Sequence, residues 1–281
     1  MIYYFSGTGN SLHVARHLAE ALGEQLCPIA PLLTQGKSFP DANSPSSSGE
    51  WKGEGAIGLV FPVYAWGIPN VVEQFVRNCK ASLLGGRLEG GYLYAIMTCG
   101  DDMGYADKVL DKALFAACGR KLDAAFSVQM PNVYVCLPGF DVDSDEVCKE
   151  KLAKEEAAVK EIAALVSERQ TVRRLKRGLF PLTKTNIIRP LFNRYLVTDK
   201  YFHVDTSRCI SCGKCSKACP VGNIMKTPPH WQSHCTGCLA CYHACPYHAI
   251  NFGNMTQKKG QYNLPQQLNG NPSNSHARVC T

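Results

Sequence analysis

Short apolar runs alternate with helical stretches along the first 170 residues. Ile2–Phe5, Ile57–Phe61, Tyr92–Thr98 and Ala124–Gln129 are apolar and strand-length, with a weaker run near Gln25–Ile29. Near-continuous runs of this kind predict strands buried on both faces. Between them, Ser11–Leu22, Pro69–Cys79, Ala106–Ala117 and Asp143–Glu168 place their apolar residues at helical spacing. Asp143 or Ser144 is the N-cap expected for the last of these. Five strands alternating with helices predict a parallel, doubly wound α/β sheet over residues 1–170. One unit is irregular: Thr34–Gly55 is rich in Ser, Pro and Gly, which predicts a loop where a crossover helix belongs.

The pattern then changes. Residues 171–200 are basic and interrupted by Pro181 and Pro190, predicting a linker of short helices. Residues 201–253 contain an internal repeat. Residues 254–281 are rich in Asn, Gln and Ser with few apolar positions, so this tail is expected to be disordered.

Composition adds bounds. The chain has 281 residues, 45% apolar and 19% charged, as globular proteins do. Its longest apolar runs fall far short of the roughly 20 residues of a membrane span. "MIYYF" lacks the basic flank and length of a secretory signal, so a cytoplasmic location is expected. The formal charge of +7 arises locally: Val166–Lys200 holds nine Lys or Arg against two acidic residues. Its apolar residues Leu175, Leu179, Phe180, Ile187, Ile188, Leu191 and Phe192 predict a strap packed between the two halves. The alternatives are a docking face for an acidic partner and contact with an anionic membrane surface. Nucleic-acid binding is not expected, because the anions inferred below would offset much of the charge.

Fifteen cysteines are far more than a cytosolic chain needs. Cys27, Cys79, Cys99, Cys118, Cys136, Cys148 and Cys280 are scattered and read as reduced, small residues. The other eight form two runs, "CISCGKCSKACP" from Cys209 and "CTGCLACYHACP" from Cys235, offset by 26 residues. Both are C-x2-C-x2-C-x3-C-P, the spacing that holds 4Fe–4S clusters in bacterial two-cluster ferredoxins. Zinc knuckles also use C-x2-C, but zinc is satisfied by four ligands and needs no third evenly spaced cysteine or Cys-Pro. The resemblance to 2×4Fe–4S ferredoxins covers residues 201–253 and implies a small α+β domain. It also implies ligands that cross over: Cys209, Cys212, Cys215 and Cys245 for one cluster, Cys235, Cys238, Cys241 and Cys219 for the other. His234 and His243 flank ligands, and a solvated surface is their expected setting.

"FSGTGNS", residues 5–11, follows the first strand and opens the first helix. Free amides and the positive end of the helix dipole make such a turn a phosphate site. It lacks the G-K-[ST] of a P-loop, and Leu12 stands where a dinucleotide fingerprint has its third glycine. Ser6, Gly7, Thr8, Gly9, Asn10 and Ser11 instead suit a phosphate monoester held by hydrogen bonds alone, which points to FMN. Two further loops resemble those of flavodoxins. "PVYAWG" supplies Pro62, Val63, Tyr64, Ala65 and Trp66; "CGDDMGYAD" supplies Cys99, Gly100, Asp101 and Tyr105. By that resemblance Tyr64, or alternatively Trp66, covers one flavin face and Tyr105 the other.

Two patterns are set aside. "GEGAIG", Gly53–Gly58, runs into a strand instead of following one. His13 and His17 stand at i, i+4, but no glutamate follows His13, so the pattern does not predict a zinc site.

Residues 1–253 together resemble the fused flavodoxin–ferredoxin proteins of anaerobic bacteria, with a flavodoxin-like five-stranded sheet followed by a two-cluster ferredoxin domain. The resemblance implies FMN, two 4Fe–4S clusters and electron transfer between them. The alternatives are an FMN-dependent reductase of a small molecule, with "PNVY" (Pro131–Tyr134) shaping its pocket, and an Fe–S sensor. The donor and acceptor stay open between a ferredoxin-type protein and a small molecule.

Overall fold

The computed structural model describes residues 1–34, 55–78, 91–225, 228–262 and 264. The first unit is a parallel sheet of strands β1 (Ile2–Tyr4), β2 (Leu26–Pro28), β3 (Ala56–Pro62), β4 (Tyr92–Cys99), β5 (Ala124–Gln129) and β6 (Arg173–Arg174). Their order is β2-β1-β3-β4-β5-β6. The first five strands follow the flavodoxin order, whose switch point lies between β1 and β3. Helices α1 (Asn10–Leu22), α2 (Ile29–Thr34), α3 (Asn70–Asn78), α4 (Ala106–Cys118) and α5 (Asp145–Ser167) connect them. Most of the expected Thr34–Gly55 loop lies outside the described residues, as do Cys79 and Cys280.

The core explains why the strands read as continuous apolar runs. On one face Val14 and Leu18 of α1 and Val159 and Ile162 of α5 pack on Ile2, Val60 and Ile96. On the other, Val72 and Phe75 of α3 and Leu110 and Leu114 of α4 pack on Tyr3, Leu59 and Met97. With both faces covered, no strand position needs a polar residue. Ser144 caps α5, its hydroxyl accepting from the Val147 amide.

The sixth strand was not expected. Arg173 and Arg174 pair with Ala125 and Phe126 of β5. Beyond them come α6 (Pro181–Thr183), a π-helical turn (Lys184–Ile188) and α7 (Arg189–Tyr195). The apolar-strap expectation holds only for Leu175, packed on the first core, and Phe192, packed on Tyr134, and fails for the rest. Leu179 and Phe180 are each 76% exposed, and Ile187 and Leu191 are exposed by more than half. Charge holds the segment instead. Arg173 donates to Asp107 and Asp111, two nearly buried carboxylates of α4. Arg177 donates to Asp107 as well, Lys184 pairs with Asp102, and Arg189 with Glu73. Buried acids must find cations, and the linker supplies them. Much of its positive charge is therefore spent inside the molecule.

The second unit pairs β7 (Phe202–Val204) with β10 (Ile250–Phe252), and β8 (Ile224–Met225) with β9 (His230–Trp231), both antiparallel. Short helices α8 (Lys214–Ala218) and α9 (Ala240–His243) occupy matching places in the two repeats. Phe202, Ile224, Tyr242, Ile250 and Phe252 form its core, which Val135 and Cys136 of the first unit join.

The tail expectation is corrected over its first part. Residues 254–262 are ordered onto the second unit, and Tyr262 and Leu264 are buried beside Cys148 of α5. The Tyr242 hydroxyl donates to backbone carbonyls in this segment, the shortest contact being 2.9 Å to Lys259. Few apolar residues suffice because two of them pack with Cys148, Val133, Val142 and Leu152. The remainder of the tail lies outside the described residues.

Candidate functional site

A cavity of about 510 Å³ opens at the carboxyl ends of β1, β3 and β4. The turn after β1 supplies Ser6, Gly7, Thr8, Asn10 and Ser11 to its wall. Gly9 lies behind them as the left-handed residue preceding α1, at φ 100°, a conformation glycine alone adopts freely. The first amides of α1 have no helical partner and face this turn.

The hydroxyls and amide expected to bind an anion are mostly occupied by the protein. Ser6 Oγ accepts from the Gly9 amide, and Ser11 shares a 2.8 Å hydrogen bond with Thr98. Asn10 Nδ2 donates to the Pro131 carbonyl at 2.9 Å, and Asn10 Oδ1 accepts from the Tyr262 hydroxyl at 2.8 Å. Only the Thr8 side chain makes no hydrogen bond among the described residues. Asn10 thus clamps the loop to Pro131 and Tyr262, with one side-chain N–H left over.

After β3, Pro62, Val63, Tyr64, Ala65 and Trp66 line the same cavity. Tyr64 and Gly67 exchange two 3.0 Å backbone bonds around Ala65 and Trp66, at φ 45° and 58°. Both central residues are left-handed, the geometry of a tight hairpin turn that normally takes Gly or Asn. Cys99 at the end of β4, with Gly100 and Asp101 just after it, lines the cavity too. Burial pushes the Cys99 thiol up to about 12, so it stays protonated and unreactive.

Tyr105 does not line the cavity. The Arg177 guanidinium stacks 4.5 Å over its ring, and its amide donates to Thr185 Oγ1. A cationic linker side chain covers one face of that ring. The apolar wall comes instead from Tyr134, Phe140 and Phe192, whose rings pack 5.4–5.7 Å apart. The sequence flagged Tyr134 as part of the "PNVY" loop; Phe140 and Phe192 carried no local signal.

The linker closes the rim. Thr185 Oγ1 donates to the Trp66 carbonyl while accepting from Tyr105, tying the two loops together. Lys184 is the one Lys or Arg among the described lining residues. Its ammonium is held at 2.6 Å by Asp102, 5.2 Å from the Trp66 ring centre. Asn132, also on the wall, is gripped by Asp143 through its backbone and side-chain amides. The other candidate cap residue of α5 thus serves the cavity instead.

The far wall is the second unit: Thr236, Gly237, Cys238 and Leu239. A Cβ on Gly7 would stand 2.7 Å from that of Cys238, so the two turns touch. Burial raises the Tyr64 hydroxyl pKa well above its ordinary value, with Cys238 and Cys235 adding to the effect.

The eight cysteines gather in two groups. Cys209, Cys212, Cys215 and Cys245 line one small cavity. Cys219, Cys235, Cys238 and Cys241 line the other. Each group takes its fourth thiol from the opposite repeat. His234 hydrogen-bonds to the Gln232 and Val221 carbonyls. His243 departs from the solvated expectation. It is 7% exposed, with Nε2 donating to the Val133 carbonyl and Nδ1 accepting from the Tyr262 amide. Those partners assign the neutral tautomer, and burial pushes its pKa down to about 4.

Comparison with known proteins assigns the second unit. The 4Fe-4S binding domain family matches residues 202–225 and 228–251, one match per repeat. The C-terminal unit is therefore an iron–sulfur domain with two cluster motifs, fused to a flavodoxin-like sheet. Searching curated proteins finds no match. Among solved structures, a protein from Bacteroides uniformis designated a flavoprotein is 17% identical over 46% of this chain and 88% of its own, with a TM-score of 0.29. The rubredoxin oxygen:oxidoreductase of the anaerobe Desulfovibrio gigas is 18% identical over 60% of this chain and 36% of its own, with a TM-score of 0.35. At such scores the assignment of the first unit rests on its strand order alone. No helix among the described residues is long and apolar enough to cross a membrane.

Proposed function

We propose that the chain is an electron-transfer flavo-iron–sulfur protein, relaying electrons between two 4Fe–4S clusters and FMN. The observation that carries this reading is the shared wall. The turn expected to hold phosphate and the turn carrying Cys238 line one cavity and touch at Gly7.

The residues fit the groups. Each set of four thiols, Cys209, Cys212, Cys215 and Cys245 or Cys219, Cys235, Cys238 and Cys241, can fill one cluster's coordination. For FMN, the α1 amides and Thr8 hydroxyl are unspent donors for a phosphate, and Tyr64 and Trp66 line one side. Two buried polar atoms on the wall, Tyr134 OH and Asp102 Oδ1, have no partner among the described residues. Orphaned polar atoms in an apolar cavity fit a ligand with polar edges. Asp102 neutralises Lys184, so among the described lining residues no unpaired cation would compensate a phosphate. When bound, the clusters exchange single electrons and the flavin one or two.

Anaerobic purification tests the composition: about eight irons and one FMN per chain are expected, as two 4Fe–4S clusters require. Zinc in place of iron, or FAD in place of FMN, overturns the reading. Reduction with a limiting donor then tests the relay, because both chromophores should bleach stoichiometrically. The second reading is an FMN-dependent reductase, favoured by the extra apolar wall of Tyr134, Phe140 and Phe192. Continuous consumption of an added small-molecule acceptor would replace the carrier with that enzyme.

A further inference from the structure

We infer that His13, His17 and Glu155 form a binding site for a divalent cation of the zinc class, on the sheet face behind the phosphate turn. The i, i+4 histidines lack the following glutamate of a metalloprotease helix, yet the fold delivers a carboxylate from α5, 138 residues away.

The geometry is that of a coordination site. Glu155 Oε2 lies 3.4 Å from His13 Nε2 and 3.0 Å from His17 Nδ1. Zinc–nitrogen and zinc–oxygen bonds of about 2.0–2.2 Å at tetrahedral angles place neighbouring ligand atoms about 3.3 Å apart. The three donor atoms all fall within 4.8 Å of one another. The imidazole rings stand 4.2 Å apart and tilted by 58°, so both nitrogens can face one point beside the carboxylate.

Burial and charge favour a cation there. Glu155 is 1% exposed and has no Lys or Arg partner among the described residues. A buried carboxylate needs a positive partner or a metal. Glu20 and Glu156 add further negative potential at the His17 ring. The His17 side chain is 31% exposed and that of His13 14%, so a water can reach a fourth position. Imidazole with carboxylate suits zinc and its neighbours better than calcium or magnesium. The ion would lock α1 to α5, and α1 is the helix whose first amides face the cavity.

The test uses the anaerobic holoprotein with its iron retained. It is titrated with zinc chloride, desalted, and assayed for zinc and iron together. One zinc per wild-type chain is expected with no loss of iron. His13→Gln and His17→Gln should each lower zinc affinity about 100-fold, at or beyond the upper end of losses seen for outer-shell partners. Zinc should also raise the wild-type melting temperature and leave that of H13Q/H17Q unchanged. No zinc uptake by the wild type, or equal uptake by the double variant, overturns the site. A measurement without variants guards against misfolding: zinc should protect His13 and His17 from carbethoxylation, and equal modification with and without zinc also overturns it.

Discussion

The hydroxyl of Tyr262 donates to the side-chain oxygen of Asn10 across 2.8 Å and 252 residues. Asn10 in turn holds the Pro131 carbonyl, and the Tyr262 amide reaches His243. One buried chain of hydrogen bonds therefore joins the phosphate turn, the "PNVY" loop, the iron–sulfur unit and the C-terminal segment. Tyr262→Phe removes a single donor and leaves Asn10 Oδ1 buried without a partner. It should weaken flavin binding by about 1 kcal/mol, a factor of about 5. Titrating flavin fluorescence measures this, and the iron content should not change.

Thr8 carries the loop's one hydroxyl that makes no hydrogen bond among the described residues. Thr8→Val keeps the shape and should cost about 1.5–3 kcal/mol of flavin affinity, the range for a hydrogen bond to a charged group. Asn10→Leu acts by a further route, since that side chain also holds Pro131 and Tyr262 within the protein. It should lower the stability of the apoprotein as well as flavin affinity, whereas Thr8→Val should affect affinity alone. Denaturant unfolding beside flavin titration separates the two.

The paired cysteine runs and the strand–turn–helix at residue 5 were legible because their chemistry is encoded in local spacing. The α/β order was legible because strands covered on both faces must be apolar throughout. What escaped the sequence was long-range pairing. Nothing local tells that Asn10 will be consumed by Pro131 and Tyr262, or that Arg177 will cover Tyr105. Nor does spacing reveal that buried Asp107 and Asp111 will draw Arg173 onto the sheet edge as a sixth strand. For most of its residues the strap reading failed for the same reason: apolar composition suggested burial, while the ion pairs fixed the backbone with Leu179 and Phe180 outward.

Asp143 should make the cavity wall acid-sensitive. Burial alone would raise its carboxyl pKa, but Lys151 at 2.6 Å and the Asn132 amides outweigh it and hold the pKa below its ordinary value. A depressed pKa contributes stability above the unfolded value of about 3.9, lost as pH falls through the folded value. Asp143→Asn should therefore destabilise most at neutral pH. The gap between wild type and variant should shrink as pH drops from about 5 towards 3. Urea unfolding at several pH values reads this directly.

Ala65 sits left-handed at φ 45° without being glycine. That conformation costs an L-residue about 1–2 kcal/mol, so Ala65→Gly should raise stability by about 1 kcal/mol in denaturant unfolding. A loss of stability would show that the methyl group's packing outweighs the strain.

Because Thr236–Leu239 forms one wall of the large cavity, a flavin bound there would be only as durable as the cysteine group behind that wall. Oxidative damage at Cys238 would reach Gly7 directly, with no intervening side chain to absorb it. On the proposed function, air damage to the Cys219, Cys235, Cys238 and Cys241 group should therefore weaken flavin binding as well, which flavin titration before and after exposure to air would read.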